Sequence, residues 1–150
     1  MELILKIKKS SNFLEGIQTL RQLSFGVLDM EWHSKNPSEI INVKEFETIS
    51  FKGTQLYPDI KENCMSTSFS HIFQGGYSSG YYSYKWAEVL DADAFELFKE
   101  KGLFDRDTAS KFRTLLSSGG TIHPMELYKA FRGREPRVEA LLKRAGLVEA

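Results

Sequence analysis

Apolar positions in this chain recur at three- and four-residue intervals, and no stretch alternates convincingly at the two-residue period of a strand. Asn12 followed by Glu15 reads as a capping box, and Phe13, Ile17, Leu20, Val27 and Leu28 then repeat at helical spacing. This predicts a long first helix to about Trp32, ended by a loop at Asn36 and Pro37. Asn42 with Glu45 repeats the capping pattern and predicts a shorter helix through Phe46 and Ile49 to about Gly53. Tyr57 and Pro58 mark a turn, and the residues from there to Thr67 have no period, so they read as loop or short helix. A central helix is predicted from about Tyr77 to Lys101, terminated by Gly102. Asp105 is placed to cap the next helix, which runs through Ala109, Phe112, Leu115 and Leu116 and stops at Gly119 and Gly120. Pro124 and Pro136 each stand where a first helical residue belongs, and Gly133 and Gly146 stand where those two helices should end. The fold class is therefore all-α, a multi-helix bundle. Its 150 residues suit one domain, which at this size buries roughly 68–70% of its unfolded surface.

Residues 69–88, FSHIFQGGYSSGYYSYKWAE, hold a composition that packing alone does not require. They place a histidine, the Gly75 and Gly76 pair and four tyrosines within twenty residues. Adjacent glycines lose the most entropy on ordering, so Gly75 and Gly76 predict a mobile loop, covering about 66–76. On the helix expected beyond them, Tyr77, Tyr81, Tyr84, Glu88 and Asp91 fall within roughly 80° of arc. Tyr82, Trp86, Val89, Leu90 and Leu97 fall on the opposite side and read as the core face. Phenol hydroxyls lined up with carboxylates suit a wet cleft, although buried tyrosines that only satisfy their hydroxyls share the same spacing.

Charge narrows the partners. Twenty basic residues balance twenty acidic ones, which argues against a nucleic acid or an anionic membrane. Arg132, Arg134, Arg137, Lys143 and Arg144 cluster near the end, but interspersed glutamates make them a solvated helix face. The single cysteine, Cys64, allows no internal disulfide and fits a reducing compartment as a small buried hydrophobe. No apolar run reaches membrane-span length, and MELILKIKKS is too short and too charged for a signal peptide, so the expected location is cytoplasmic. His33, His71 and His123 lie far apart and form no H-E-x-x-H pair, so no metal site is expected within the chain. His33 reads as a surface or capping residue, His123 as an N-terminal helix residue before Pro124.

The 69–88 string resembles the C-terminal signature of the thimet oligopeptidase family of zinc metallopeptidases, within it most like the peptidyl-dipeptidase and oligopeptidase A branch. FLEGIQTLRQLSFGVLDMEWH, VLDADAFELFKEKGLFD and PMELYKAFRGREPRVEALLKRAGL extend the likeness over nearly the whole chain. The resemblance implies the C-terminal part of a two-lobed helical enzyme that hydrolyses short peptides in a deep channel. It implies a zinc ion held by an H-E-x-x-H helix and a further glutamate, all N-terminal to the matched region. Those ligands are missing here, so the resemblance supplies zinc to a parent enzyme and none to this chain.

Residue by residue, the resemblance makes His71 the loop histidine that contacts substrate and Gly75 with Gly76 the hinge of that loop. It makes Tyr77 and Tyr84 the catalytic tyrosines near the scissile carbonyl, and Tyr81 a substrate-side tyrosine. The 66–76 loop is then expected to be poorly ordered without peptide and without the N-terminal catalytic part as a partner. Two readings stay open: the substrate-side part of a peptidase, and a free-standing, non-catalytic helical binding or regulatory module derived from one. Within the first, release of C-terminal dipeptides and internal cleavage of oligopeptides stay open as well.

Overall fold

The structure, a computed structural model, describes residues 2–149, and among these every regular element is helical. Eight α-helices follow in order: α1 Glu2–Ser10, α2 Glu15–Ser34, α3 Val43–Phe51, α4 Met65–Ser68, α5 Ser83–Lys101, α6 Arg106–Ser117, α7 Pro124–Arg132 and α8 Glu139–Arg144. Short 3-10 turns occupy Pro37–Glu39 and Ser70–Ile72. Many of the predicted punctuators act as expected. The Asn42 side chain accepts from Glu45 N at 3.1 Å, and that of Asp105 from Thr108 N at 2.8 Å. Gly102 (φ 113°) and Gly133 (φ 81°) take the left-handed region just past α5 and α7. Gly146 N donates to Lys143 O and Leu147 N to Leu142 O, the paired bonds that close a helix on a left-handed glycine.

Three boundaries differ from expectation. Asn12 caps nothing: α1 runs before it, and Leu14 (φ 59°) adjoins α2 with no side-chain cap. Asn12 lies instead in the turn between α1 and α2, where its carbonyl accepts from Glu15 N. Pro136 does not open the last helix, which begins three residues later at Glu139. The central helix starts at Ser83 rather than Tyr77, because residues 77–82 form successive turns gripped from outside, as described below.

The chain groups into two compact units, one running up to Lys85 and one from Trp86. In the first unit α2 packs on α3 and α3 on α4. Leu28, Phe69 and Ile72 form its buried centre, with Phe25, Trp32, Phe51, Met65 and Tyr81 against them. Most of the segment expected as a mobile loop is thus helical and anchored, since Phe69 and Ile72 are core residues. In the second unit α6 packs on α7, and Ala94, Leu97, Tyr128 and Phe131 form the centre with Leu90, Phe98, Phe112 and Leu115 around them. The predicted core face of the central helix is only partly core. Val89 and Leu97 are buried, but Tyr82 is 57% and Trp86 42% exposed. Tyr82 precedes the helix, and Trp86 lines an open apolar groove of about 620 Å³ in the second unit.

Candidate active site

Two carboxylates that sequence reasoning passed over build the site. In α2, Phe25, Leu28, Asp29 and Trp32 share a face at helical spacing, so Asp29 stands where an apolar side chain would be expected. In α3, Glu47 and Ser50 are buried between Phe46 and Phe51, so a charged residue again stands on the inward face. Both side chains are buried, Asp29 completely. A buried carboxylate needs donors, and both find them in the segment 64–81.

Glu47 holds the start of that segment. Its Oε1 accepts from Met65 N at 3.0 Å, and its Oε2 accepts from Ser66 N at 2.6 Å and Ser66 Oγ at 2.8 Å. Trp32 Nε1 donates to the same Ser66 hydroxyl at 3.0 Å, which joins α2 to the network. Burial by itself would raise the Glu47 pKa, but the Ser66 and Met65 bonds and the nearby Lys44 cation outweigh it and hold it below the usual value. Cys64, beside this network, is a free thiol whose Sγ lies 3.7 Å from Glu47 Oε2.

Asp29 holds the other end. Its Oδ1 accepts from Ser79 N at 2.8 Å and its Oδ2 from Tyr81 N at 2.9 Å. His33 Nδ1 lies 2.9 Å from Asp29 Oδ1 and 2.7 Å from the Asp29 carbonyl oxygen. Facing two acceptors, Nδ1 is the protonated nitrogen of that ring. His33, exposed near the end of α2 as expected of a surface or capping residue, also joins the grip on the turn. Ser79 is held at φ 52°, a backbone region that residues with a Cβ rarely occupy.

Between the two grips the predicted site residues come together. Tyr77 and Tyr84 stack with ring centroids 5.1 Å apart at 21°, and Tyr81 tilts against Tyr84 at 5.1 Å. Tyr77 contacts His71 at 6.1 Å, His71 contacts Phe69 at 5.8 Å, and Phe69 meets Tyr81 edge-on at 5.1 Å. The five rings close on themselves. Its outer members, Tyr77 and Tyr84, are about two-fifths exposed, while Phe69 is rooted in the core. The tyrosines are thus neighbours through a turn, not through the helical stripe from which the sequence reading joined them.

Two of the phenols are shifted upward. A hydrogen bond with the Tyr77 phenol, together with some desolvation and the charge it would face there, pushes the Tyr84 pKa above its ordinary value. Burial pushes the Tyr81 pKa up too, and its hydroxyl donates to Gln22 Oε1 at 3.2 Å. Both groups are neutral donors at physiological pH. Gly75 (φ 81°) and Gly76 lie between His71 and Tyr77 with open space where a Cβ would sit. An apolar groove of about 380 Å³, walled by Leu23, Val27, Met30, Tyr81 and Tyr84, runs beside the tyrosines.

The ring cluster, pinned by buried carboxylates, displays two half-exposed phenols, and comparison with known proteins assigns the lineage. Residues 1–147 match peptidase family M3. The chain belongs to that family. Among M3 relatives it is 44% identical to the Organellar oligopeptidase A, chloroplastic/mitochondrial, of Arabidopsis thaliana, over 99% of this chain and 20% of that protein. It is 41% identical to Oligopeptidase A of Escherichia coli over 97% of this chain and 22% of that protein. The Dipeptidyl carboxypeptidase of the same bacterium is 34% identical over 97% and 22%. The M3 chain therefore spans about a fifth of the length of these relatives. Among its described residues no three His, Cys, Asp or Glu side chains converge to hold a metal ion, so the residues present do not fit a zinc site. Nor is any described helix long and apolar enough to cross a membrane.

Proposed function

We propose that this M3 chain is the C-terminal, substrate-side part of a zinc peptidase acting on short peptides, with Tyr77 and Tyr84 stabilising the transition state. The stacked, half-exposed pair of phenols carries this reading. When water attacks a peptide carbonyl, negative charge grows on its oxygen. A phenol that reaches this oxygen only in the tetrahedral state lowers the barrier without tightening ground-state binding. His71 and Tyr81 contact the peptide, and Gly75 with Gly76 give the intervening 73–76 backbone the freedom to admit it. The metal and its ligands belong to the N-terminal catalytic part of the parent protein, and the cytoplasm, where a free thiol such as Cys64 is stable, is its compartment.

Steady-state kinetics on one fluorogenic peptide, in the full-length peptidase with metal content measured for each variant, test the roles. Tyr77→Phe and Tyr84→Phe each lower kcat by about 10²–10³-fold with little change in KM, as for loss of one oxyanion donor. Tyr81→Phe acts mainly on KM, and Tyr82→Phe, outside the ring cluster, leaves both constants alone. Wild-type kcat in both of the first two variants would overturn the assignment. Peptide turnover by the 150-residue chain alone that survives repurification would overturn its reading as a part of an enzyme.

A further inference from the structure

The turn that carries the tyrosines has no reason of its own to hold its shape. Residues 77–82 contain no full helical turn, Ser79 sits at φ 52°, and Gly80 adds backbone freedom. The local bonds are single-turn contacts, Gly80 N to Tyr77 O and Ser83 N to Gly80 O. What imposes the conformation comes from some fifty residues away. Both oxygens of the completely buried Asp29 are spent on this turn, one on Ser79 N and one on Tyr81 N. A carboxylate kept only to pair with His33 would need neither. The two amides it grips lie between Tyr77 and Tyr84, and their spacing decides whether the rings before and after the turn meet.

We propose that Asp29 is the positioning residue of the tyrosine pair: by accepting from the Ser79 and Tyr81 amides it sets the stack of Tyr77 on Tyr84 and so the direction of their phenols. His33, bound to Oδ1 and to the Asp29 carbonyl, fixes the rotamer in which the carboxylate faces the turn. The importance of this for catalysis rests on the oxyanion role proposed above, while the geometric statement does not, and the two are tested separately.

The experiment uses the 150-residue chain, Asp29→Asn and Asp29→Ala, amide hydrogen exchange, and nuclear Overhauser contacts between the Tyr77 and Tyr84 rings. Asparagine keeps the volume and one acceptor oxygen but turns an NH2 group towards one of the amides. In Asp29→Asn the Ser79 and Tyr81 amides exchange at least about tenfold faster, the Tyr77 to Tyr84 contacts vanish, and protection of α2 and α3 amides is retained. Asp29→Ala gives the same result, more strongly. Persistence of the ring contacts in a folded Asp29→Asn chain overturns the proposal. So does loss of protection throughout α2 and α3 in that variant, which would make the carboxylate a general support of the core. Unchanged kcat in the tyrosine variants would remove the catalytic role and leave this measurement standing.

Discussion

Gly133 shows how much one residue can decide. It follows α7 at φ 81°, its N–H donates to Lys129 O at 2.8 Å, and nothing lies within 4 Å of the place a Cβ would take. The cost of a side chain there is therefore conformational rather than steric. Gly133→Ala is expected to lose about 1–2 kcal/mol in urea unfolding with no change in helical content, the usual cost of left-handed backbone at a residue with a Cβ. Such glycines were legible in the sequence because their requirement is local. Asp29 and Glu47 were not: an acidic residue on a helix ordinarily faces water, and only its place within an apolar repeat distinguishes these two. That signal was present in the spacing of Phe25, Leu28, Asp29 and Trp32, and it marks the residues on which the site is built.

Among elements, the segment 64–81 acts as a strap fastened at both ends. Its Glu47 fastening also bears on stability. With its folded pKa held below the usual carboxylate value of about 4.3, Glu47 contributes stability that is present above that pH and lost as pH falls through the folded value. Glu47→Gln keeps the shape but weakens the bonds to Met65 and Ser66, for an expected loss of about 1–3 kcal/mol at pH 7. The loss shrinks as pH falls from the ordinary carboxylate value through the lower folded one, where the wild-type carboxyl takes up its own proton. Urea midpoints at pH 7 and at acid pH check both statements, and an equal loss at the two pH values would contradict them. The strap also explains why element boundaries were read unevenly. Caps at Asn42, Asp105, Gly102 and Gly146 depend on neighbours in sequence and were placed correctly. The start of α5 differs from the expected Tyr77, because Asp29 takes the Tyr81 amide that a helix would have bonded to Tyr77 O, and Ser79 sits at φ 52°. The grouping of Tyr77, Tyr81 and Tyr84 was sound all the same, since turn and helix both bring them to one side.

For the whole molecule, the second unit adds its own response to pH. Asp93, almost wholly buried in α5, receives Arg134 through two bonds of 2.7 and 3.0 Å and the Tyr128 hydroxyl at 2.7 Å, with Arg132 Nε 3.6 Å away. Burial would raise its pKa, but Arg134, Tyr128 and Arg132 outweigh this and lower it. Burial and the Asp93 charge push Tyr128 the other way, well above an ordinary phenol. Asp93 therefore contributes stability above about pH 3.9 that disappears as pH falls through its folded value. Tyr128 contributes stability below about pH 10 that is lost as pH rises towards its folded value. Thermal unfolding across pH should show both limbs. Tyr128→Phe flattens the alkaline limb, and Asp93→Asn flattens the acid one while losing about 3–5 kcal/mol near neutrality, because two arginines are left without their buried partner. A Tyr128→Phe chain with an unchanged alkaline limb would refute the assignment.

α1 carries a consequence of a different kind. No residue of it is buried, and Leu3, Ile4, Leu5 and Ile7 all face solvent, in a chain whose acidic and basic residues cancel at pH 7. Nothing in the long-range charge then keeps two copies apart, and each offers the other an oily strip. Light scattering from a concentrated solution is expected to be greatest near neutral pH and to fall with a few acidic residues on α1, without a change to the interior.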